Sequence, residues 1–438
     1  MNTLKTAAVL LAALGTVHGS AEPMAYATHG DALLEALIGE ALERNPRIRA
    51  AASEHSAARE VEVQATALPD PRISVTGFAR APQTRVGPQR AGLALTQTIP
   101  WFGKRAAQGE VAISEAALSG ELVNTARADT VLAVKSAYYD LAYLDRAIRI
   151  SNLEEQLLRH YESLASAQYS QGIGQQQAVV KLQAEITRVL NRRTEFRRWR
   201  DTAEATINML RDRPVDLAVA EIRELTRPGV DIDIATLATL QSLAQATSPE
   251  AHAALLAIDR AKAGLRLAQR RYRPDVVVGA GWGNVAGRRD EPGRLNPPPD
   301  NGKDTLNFTV GINIPVYRAG IDAGVREAEA RLAAARETQH AIQGDLDLAI
   351  RTIGLELQTA IDQIALYENA LLPQAEQALR STEEAYSTGT TGVLDLLDSD
   401  EVLLEVRLGL AQLETDYMKA LAAMERAVGV PFPKRTEP

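Results

Sequence analysis

From Leu306 to Ile314, apolar and polar residues alternate without a break. Leu306, Phe308, Val310, Ile312 and Ile314 fall on one face; Asn307, Thr309, Gly311 and Asn313 fall on the other. This period of two predicts a strand over about 305–315. A partner over about 275–285 sets Val276, Val278, Ala280 and Trp282 against Gly279, Gly281 and Gly283. The same pattern occurs more weakly earlier, with Ile73 and Val75 against Ser74 and Thr76, then Leu93, Leu95 and Ile99 against Thr96 and Thr98. Strands over about 72–84 and 90–99 follow from it.

After each strand pair the period lengthens to seven. Leu182, Val189, Phe196, Ala203 and Leu210 keep that step, as do Leu396, Leu403, Leu410, Tyr417 and Met424. In the later stretch Val406, Leu413, Ala420 and Ala427 follow three places on and complete a heptad seam. No proline interrupts Pro100 to Pro214, and Pro315 to Pro431 holds only Pro373, which is expected to kink its helix. Long helical hairpins are therefore predicted over about 103–211 and 319–429. One arm, 103–168, would be ~100 Å long as a helix.

The alternation of regimes reflects an internal duplication. Ala41-Leu42-Glu43-Arg44-Asn45-Pro46 returns loosely as Ala244-Gln245-Ala246-Thr247-Ser248-Pro249, and Pro71 matches Pro274 at the same spacing of 203. Thr98-Ile99-Pro100 matches Asn313-Ile314-Pro315, and Tyr169-Ser170-Gln171-Gly172 matches Tyr386-Ser387-Thr388-Gly389. Two copies of one unit are expected, 22–218 and 219–438. Each opens with an alanine-rich helix, about 47–66 and about 250–271. The fold class is mainly α with a small β part.

Composition narrows the setting. Lys5, the apolar run Ala7 to Val17 and the small residues Gly19-Ser20-Ala21 read as a secretory signal over 1–21, with a mature start near Glu22. That run is too short to span a bilayer, and no other apolar segment is long enough to do so. Cysteine is absent, which excludes disulfides, thiolate metal sites and a lipid-modified cysteine. The formal charge of −8 offers no general attraction to nucleic acid. The six histidines show no ligand spacing, and no nucleophile–base pair has motif support, so neither an enzyme nor a cofactor is expected.

The strands bear on the compartment. Segments of ~9–11 residues, apolar on one side and small or polar on the other, suit an outer-membrane barrel, although a half-buried soluble sheet alternates in the same way. Four strands cannot close a barrel, and an open sheet edge in lipid leaves backbone groups without partners. Strands must then be pooled between subunits; three copies would supply twelve, a number the sequence leaves open. The polar, proline-rich stretch 286–304 suits an outward-facing loop. Trp101, Phe102, Tyr272 and Tyr317, at the other strand ends, suit either an interfacial girdle or sheet-to-helix packing.

With this plan in hand, the mature chain resembles the TolC outer-membrane efflux family. The segment Tyr386-Ser387-Thr388-Gly389-Thr390-Thr391-Gly392-Val393-Leu394-Asp395-Leu396-Leu397-Asp398 is similar to the family's second periplasmic turn. The resemblance implies a homotrimer with a twelve-stranded outer-membrane β-barrel and a twelve-helix periplasmic tunnel. Residues about 215–247 and the chain ends would form a belt around the tunnel. It also implies a periplasmic adaptor protein and an inner-membrane pump as partners. Asp395 and Asp398, three apart on a helix, would line a periplasmic entrance where threefold symmetry gathers six carboxylates. Crowding should raise some of their pKa values, while Asp400 and Glu401 are expected to be solvated. Tyr169, Gly172, Tyr386 and Gly389 mark the two turns.

The chain also departs from the family pattern. Thr391 stands where the best-known member has a latching arginine, and Ala178 stands where the other turn has an aspartate. At the strand-to-helix junction, Pro100-Trp101-Phe102-Gly103-Lys104-Arg105 is similar to segments in channels paired with heavy-metal pumps of the resistance–nodulation–division type; Pro315 marks the matching junction. The expected activity is a passive exit duct, leaning to metal-cation or drug efflux. A periplasmic coiled-coil adaptor or structural protein would share the hairpins and leader, though not the paired strands, and a type I protein secretion duct is a further alternative.

Overall fold

The computed structural model describes residues 26–230 and 234–431. The expected leader, 1–21, lies outside the described residues. The elements are, in order, α1 (Ala32–Arg44), α2 (Pro46–Thr66), β1 (Arg72–Gly77), β2 (Gln83–Thr84), β3 (Gly87–Ile99), α3 (Lys104–Ser170) and α4 (Gln176–Leu210). Then follow α5 (Ile234–Thr247), α6 (Pro249–Arg270), β4 (Asp275–Val285), α7 (Glu291–Leu295), β5 (Thr305–Asn313), α8 (Arg318–Leu366), α9 (Leu372–Ser387) and α10 (Val393–Val428). A π-helical turn, Tyr367–Leu371, joins α8 to α9.

The helix starts follow from local chemistry. At α2, Asn45 accepts from the Arg47 N–H at 2.8 Å and Pro46 fills the first helical position. At α6, Ser248 accepts from the Ala251 N–H at 3.1 Å and Pro249 fills that position. Both pairs combine a side-chain cap with a residue that lacks the N–H the first turn cannot use. Pro373 likewise withholds an N–H inside a helical run. The ladder accommodates it by widening just upstream, where the Leu372 N–H bonds back to Tyr367 O.

The chain divides into two units, each with its own core. The first comprises Arg44–Thr130 and Ala244–Ala349 and holds the sheet. Strand order is β1-β3-β4-β5, all neighbours antiparallel, with β2 paired to β3. The registers line up Val75, Leu93, Trp282 and Leu306 in one row and Ile73, Leu95, Ala280 and Phe308 in the next. On the reverse face Ser74, Ala94, Gly281 and Asn307 form one row and Arg72, Thr96, Gly279 and Thr309 another. The first strand ends at Gly77, short of the expected 84, and β5 ends at Asn313, two residues before the ring of Pro315, which has no N–H to extend a ladder. The helices beside the sheet bury mostly small side chains, among them Ala107, Ala112, Ala116, Ala251 and Ala263.

The second unit comprises the described residues up to Glu43, Val131–Leu243 and those from Ile350 on. Its core runs through Leu158, Tyr161, Leu182, Ile186, Val189, Leu379, Tyr386, Leu396 and Leu403. Both seven-residue series are buried along their whole lengths. Their companion on α10 differs from expectation: Val406, Leu413, Ala420 and Ala427 are only half-buried. The other continuously buried series on α10 lies one residue after the first, through Leu404, Ala411, Met418 and Glu425, and Asp400, Leu421 and Val428 are buried beside it. Two of these buried positions, Asp400 and Glu425, are charged, and an apolar pattern could not reveal them.

Candidate functional site

The two helical turns share one closure. At the α9–α10 turn the Gly389 N–H bonds to Tyr386 O at 3.1 Å and the Thr390 N–H to Ala385 O at 2.9 Å. At the α3–α4 turn the Gly172 N–H bonds to Tyr169 O at 3.0 Å and the Ile173 N–H to Gln168 O at 3.0 Å. Gly389 and Gly172 both sit in the left-handed region, φ 72° and 73°, where a Cβ is strained. The two tyrosines part company: Tyr386 is buried in the core and Tyr169 is half exposed. Burial pushes the Tyr386 hydroxyl pKa up.

Asp395 and Asp398 are both exposed in the first turns of α10. Gly392 is the N-cap and has no side chain with which to cap the helix. Asp395 supplies the acceptor instead: its Oδ2 receives the Thr391 hydroxyl at 2.5 Å and the Gly392 N–H at 3.3 Å. Those donors favour the ionised form, and they hold the Asp395 carboxyl below its usual range. Within one chain the direction is thus the reverse of that expected from crowding, because hydrogen bonds to the carboxylate act here with no like charge in the balance. Thr391, noted in the sequence only as a missing arginine, is the residue that binds Asp395. Ala178, on the other turn, packs against the apolar core.

Asp400, expected to be solvated, is 2% exposed; Glu401 is exposed. The partner of Asp400 is Glu154 of α3, which is 7% exposed. Burial, then the hydrogen bond to Asp400, pushes the Glu154 carboxyl well up, and burial raises Asp400 as well. Both carboxyls are raised, so the pair as a unit holds a proton more tightly than free carboxylates do. Two half-buried charged residues of α10 are also paired, Arg407 with Glu376 at 3.4 Å and Glu414 with Arg146. Elsewhere in this unit Lys135 is buried against Glu425, and the Tyr138 hydroxyl donates to Asp31. Sequence reasoning missed Glu154, Lys135 and Glu425. The signal that marks them is a charged residue recurring on a helix's apolar stripe.

The strand-to-helix junction is built around Asp275. Its Oδ1 accepts from the Trp101 N–H at 3.0 Å and from Lys104 Nζ at 2.7 Å. Gly103 makes the bend at φ 83°, and Arg105 donates to Thr66 O. Lys104 is thus a structural tie between the start of α3 and β4. Pro100 is half-buried beside Trp101, and Pro315 lies in the matching place after β5. Phe102 and Tyr317 are 88% and 87% exposed, so neither is packed between sheet and helix within the chain.

The apolar rows of the sheet are also uncovered: Val75 is 76% exposed, Phe308 80% and Val310 77%. Among the described residues no helix is long and apolar enough to cross a membrane, and no group of three or more metal-ligating side chains converges.

A family model described as outer membrane efflux protein matches residues 37–210 and 240–430. Over 180 residues, 40% of the chain, the sequence is 24% identical to the outer membrane protein TolC of Vibrio cholerae; that match spans 40% of the relative's length. Among solved structures, the outer membrane protein VceC of Vibrio cholerae is 21% identical with a TM-score of 0.73, covering 92% of this chain and 97% of that one. A membrane protein of Pseudomonas aeruginosa is 18% identical with a TM-score of 0.76, covering 95% of this chain and 97% of its own. The fold is accordingly that of these two proteins, mainly helical with an antiparallel sheet, and since the family model takes in both halves of the sequence, the chain belongs to the outer membrane efflux protein family.

Proposed function

We propose that three copies of the chain form an outer-membrane exit duct. Each contributes its four long strands to a twelve-stranded barrel and its hairpins to a twelve-helix periplasmic tunnel. The carrying observation is the sheet. One face bears exposed Val75, Phe308 and Val310, the other bears glycine, serine, threonine and asparagine, and the outer strands β1 and β5 each lack a strand on one side among the described residues. In hydrocarbon such edges cost several kcal/mol for each backbone group without a partner, and joining β1 of one copy to β5 of the next removes them. The apolar face then meets lipid and the polar face meets water.

In this reading the duct is passive. A periplasmic adaptor and an inner-membrane pump deliver its cargo, and the Pro100-to-Arg105 junction inclines the assignment toward metal-cation or drug efflux. Asp395 and Asp398 ring the periplasmic entrance and favour cations over anions. The two repeats, 22–218 and 219–438, supply equivalent hairpins. The absence of native cysteine allows a direct test. A cysteine at Ser74 of β1, scanned against single cysteines along β5, should crosslink at the one or two β5 positions of the polar face that come opposite it and not at the apolar-face positions between them, and yield dimers and trimers in outer-membrane fractions. Crosslinking confined to one chain, or a soluble monomer, would overturn the assembly.

A further inference from the structure

At the end of the sheet remote from the long helices, the apolar face stops at the row of Val75, Leu93, Trp282 and Leu306. The next row holds Gly77, Ala91 and Asn284. Asp304 fixes that boundary, accepting from Trp282 Nε1 at 3.1 Å and from Asn284 Nδ2 at 3.2 Å. Beyond it the segment 78–90 returns β1 to β3, and it carries Arg80, Arg85 and Arg90 with no acidic residue. All three arginines are exposed, and none forms an ion pair among the described residues. The neighbouring segment 286–304 has four basic and four acidic residues; Arg288 pairs with Asp290 at 2.5 Å and Lys303 lies 3.6 Å from Asp300. The net positive charge of this end therefore resides in 78–90, within a chain of formal charge −8.

The basic segment is held in place. The Ala286 N–H bonds to Pro88 O at 2.9 Å and the Gly302 N–H to Val86 O at 2.8 Å. Gly87 is buried at φ 131°, where a Cβ would collide with Ala286 O. Arg90 forms a bulge: Gln89 pairs with Val285 and Ala91 with Asn284, which leaves Arg90 without a counterpart on β4. Strand rise puts Arg90 ~10 Å along the chain past Leu93, which is the level of the headgroups once the apolar rows are set in hydrocarbon.

We propose that Arg80, Arg85 and Arg90 form a docking rim for the phosphate groups of an anionic lipid in the outer leaflet, whose acyl chains lie on the apolar face beneath. This rests on the reading that the sheet belongs to an outer-membrane barrel with its apolar face to lipid. Arginine presents paired N–H groups to phosphate oxygens and keeps its charge at every physiological pH. A free anion would meet only the arginines, whereas a lipid is also held by the exposed row of Val75, Leu93 and Leu306 next to them. Each positive side chain near an anionic membrane surface strengthens binding roughly fivefold. Screening over about 8 Å confines the effect to charges at that level.

The test uses full-length trimers in detergent, with diphosphoryl lipid A as the probe and its dephosphorylated form and inorganic phosphate as comparisons. Binding is read as the rise in melting temperature with added probe and as lipid retained in native mass spectrometry. Diphosphoryl lipid A should bind, its dephosphorylated form should bind at least roughly tenfold more weakly, and inorganic phosphate should leave the melting temperature unchanged. Combining Arg80→Ser, Arg85→Ser and Arg90→Ser should weaken lipid A binding roughly 100-fold at about 0.15 M salt. Arg273→Ser, at the opposite end of the sheet, should have no effect. A triple variant that assembles and still binds lipid A like the wild type overturns the inference and leaves the barrel standing. So does an equal loss in Arg273→Ser, or inorganic phosphate that matches lipid A, since the rim would then be unspecific or a free-anion site. A wild-type chain that is a soluble monomer overturns the barrel reading instead. Should the triple variant fail to assemble, Arg90→Ser alone is measured under the same criteria, with a loss of roughly fivefold expected.

Discussion

Glu154 of α3 and Asp400 of α10 meet inside the second unit as a buried carboxyl pair held by one shared proton. Burial and the bond to Asp400 push the Glu154 carboxyl up to about 9, so the proton is retained at neutral pH. Glu185 adds repulsion and Arg407 moderates it. The folded pKa lies above the unfolded value, so the native state binds the extra proton. Its stabilising contribution is full below the ordinary glutamate range and is lost as pH rises toward about 9. The melting temperature of purified trimers should therefore fall from pH 6 to pH 9, and Glu154→Gln, which keeps an N–H donor for Asp400, should flatten that fall. A melting temperature that rises with pH in wild type would contradict the pairing.

The Lys135–Glu425 pair gives a second test. Lys135 is 2% exposed, and its loss leaves Glu425 without that buried cation. Lys135→Ala should destabilise by about 3 kcal/mol, while Lys135→Leu combined with Glu425→Leu should recover most of the loss, because an apolar pair avoids the desolvation of two ions. Thermal unfolding of the three variants, read as a double-mutant cycle, measures this.

The lipid-facing side of β5 can be tested by charge. Val310, 77% exposed in the single chain, faces lipid in the proposed assembly, and Thr309 faces the lumen. Val310→Lys should cost about 2–4 kcal/mol if it lies near the bilayer midplane, and Thr309→Lys little. The yield of heat-resistant trimers in the outer-membrane fraction separates the two.

Gly389 closes the α9–α10 turn at φ 72°. Nothing lies within 4 Å of a Cβ added there, so the cost of Gly389→Ala comes from the backbone alone, about 1–2 kcal/mol. Gly172→Ala should behave alike at the other turn, and limited proteolysis at each turn should report the loosening.

Several of these features were readable from residue order. Strand faces are set by a period of two, and the long helices are bounded by Pro100, Pro214, Pro315 and Pro431, because proline cannot donate to a ladder. Asn45-Pro46 and Ser248-Pro249 stood out in the sequence as landmarks of the duplication, and the structure shows that each also caps a helix. The heptad series from Leu396 and from Leu182 marked buried stripes because leucine and its neighbours gain by leaving water wherever they lie on a helix.

Asp400, Lys135, Glu154 and Glu425 were not readable in that way. A charged residue on an apolar stripe is solvated or buried according to what stands opposite, and the partners lie hundreds of residues apart along the chain: Glu154 for Asp400, Glu425 for Lys135. Thr391 is a similar case at short range, since its hydroxyl acquires a role only once Gly392 becomes the cap and brings Asp395 back toward the turn. The sequence by itself determined periods, caps and breaks, which are properties of a residue and its near neighbours. Only the tertiary structure decided which polar groups share a bond or a proton, because desolvation and Coulomb energy depend on distances that chain order does not specify.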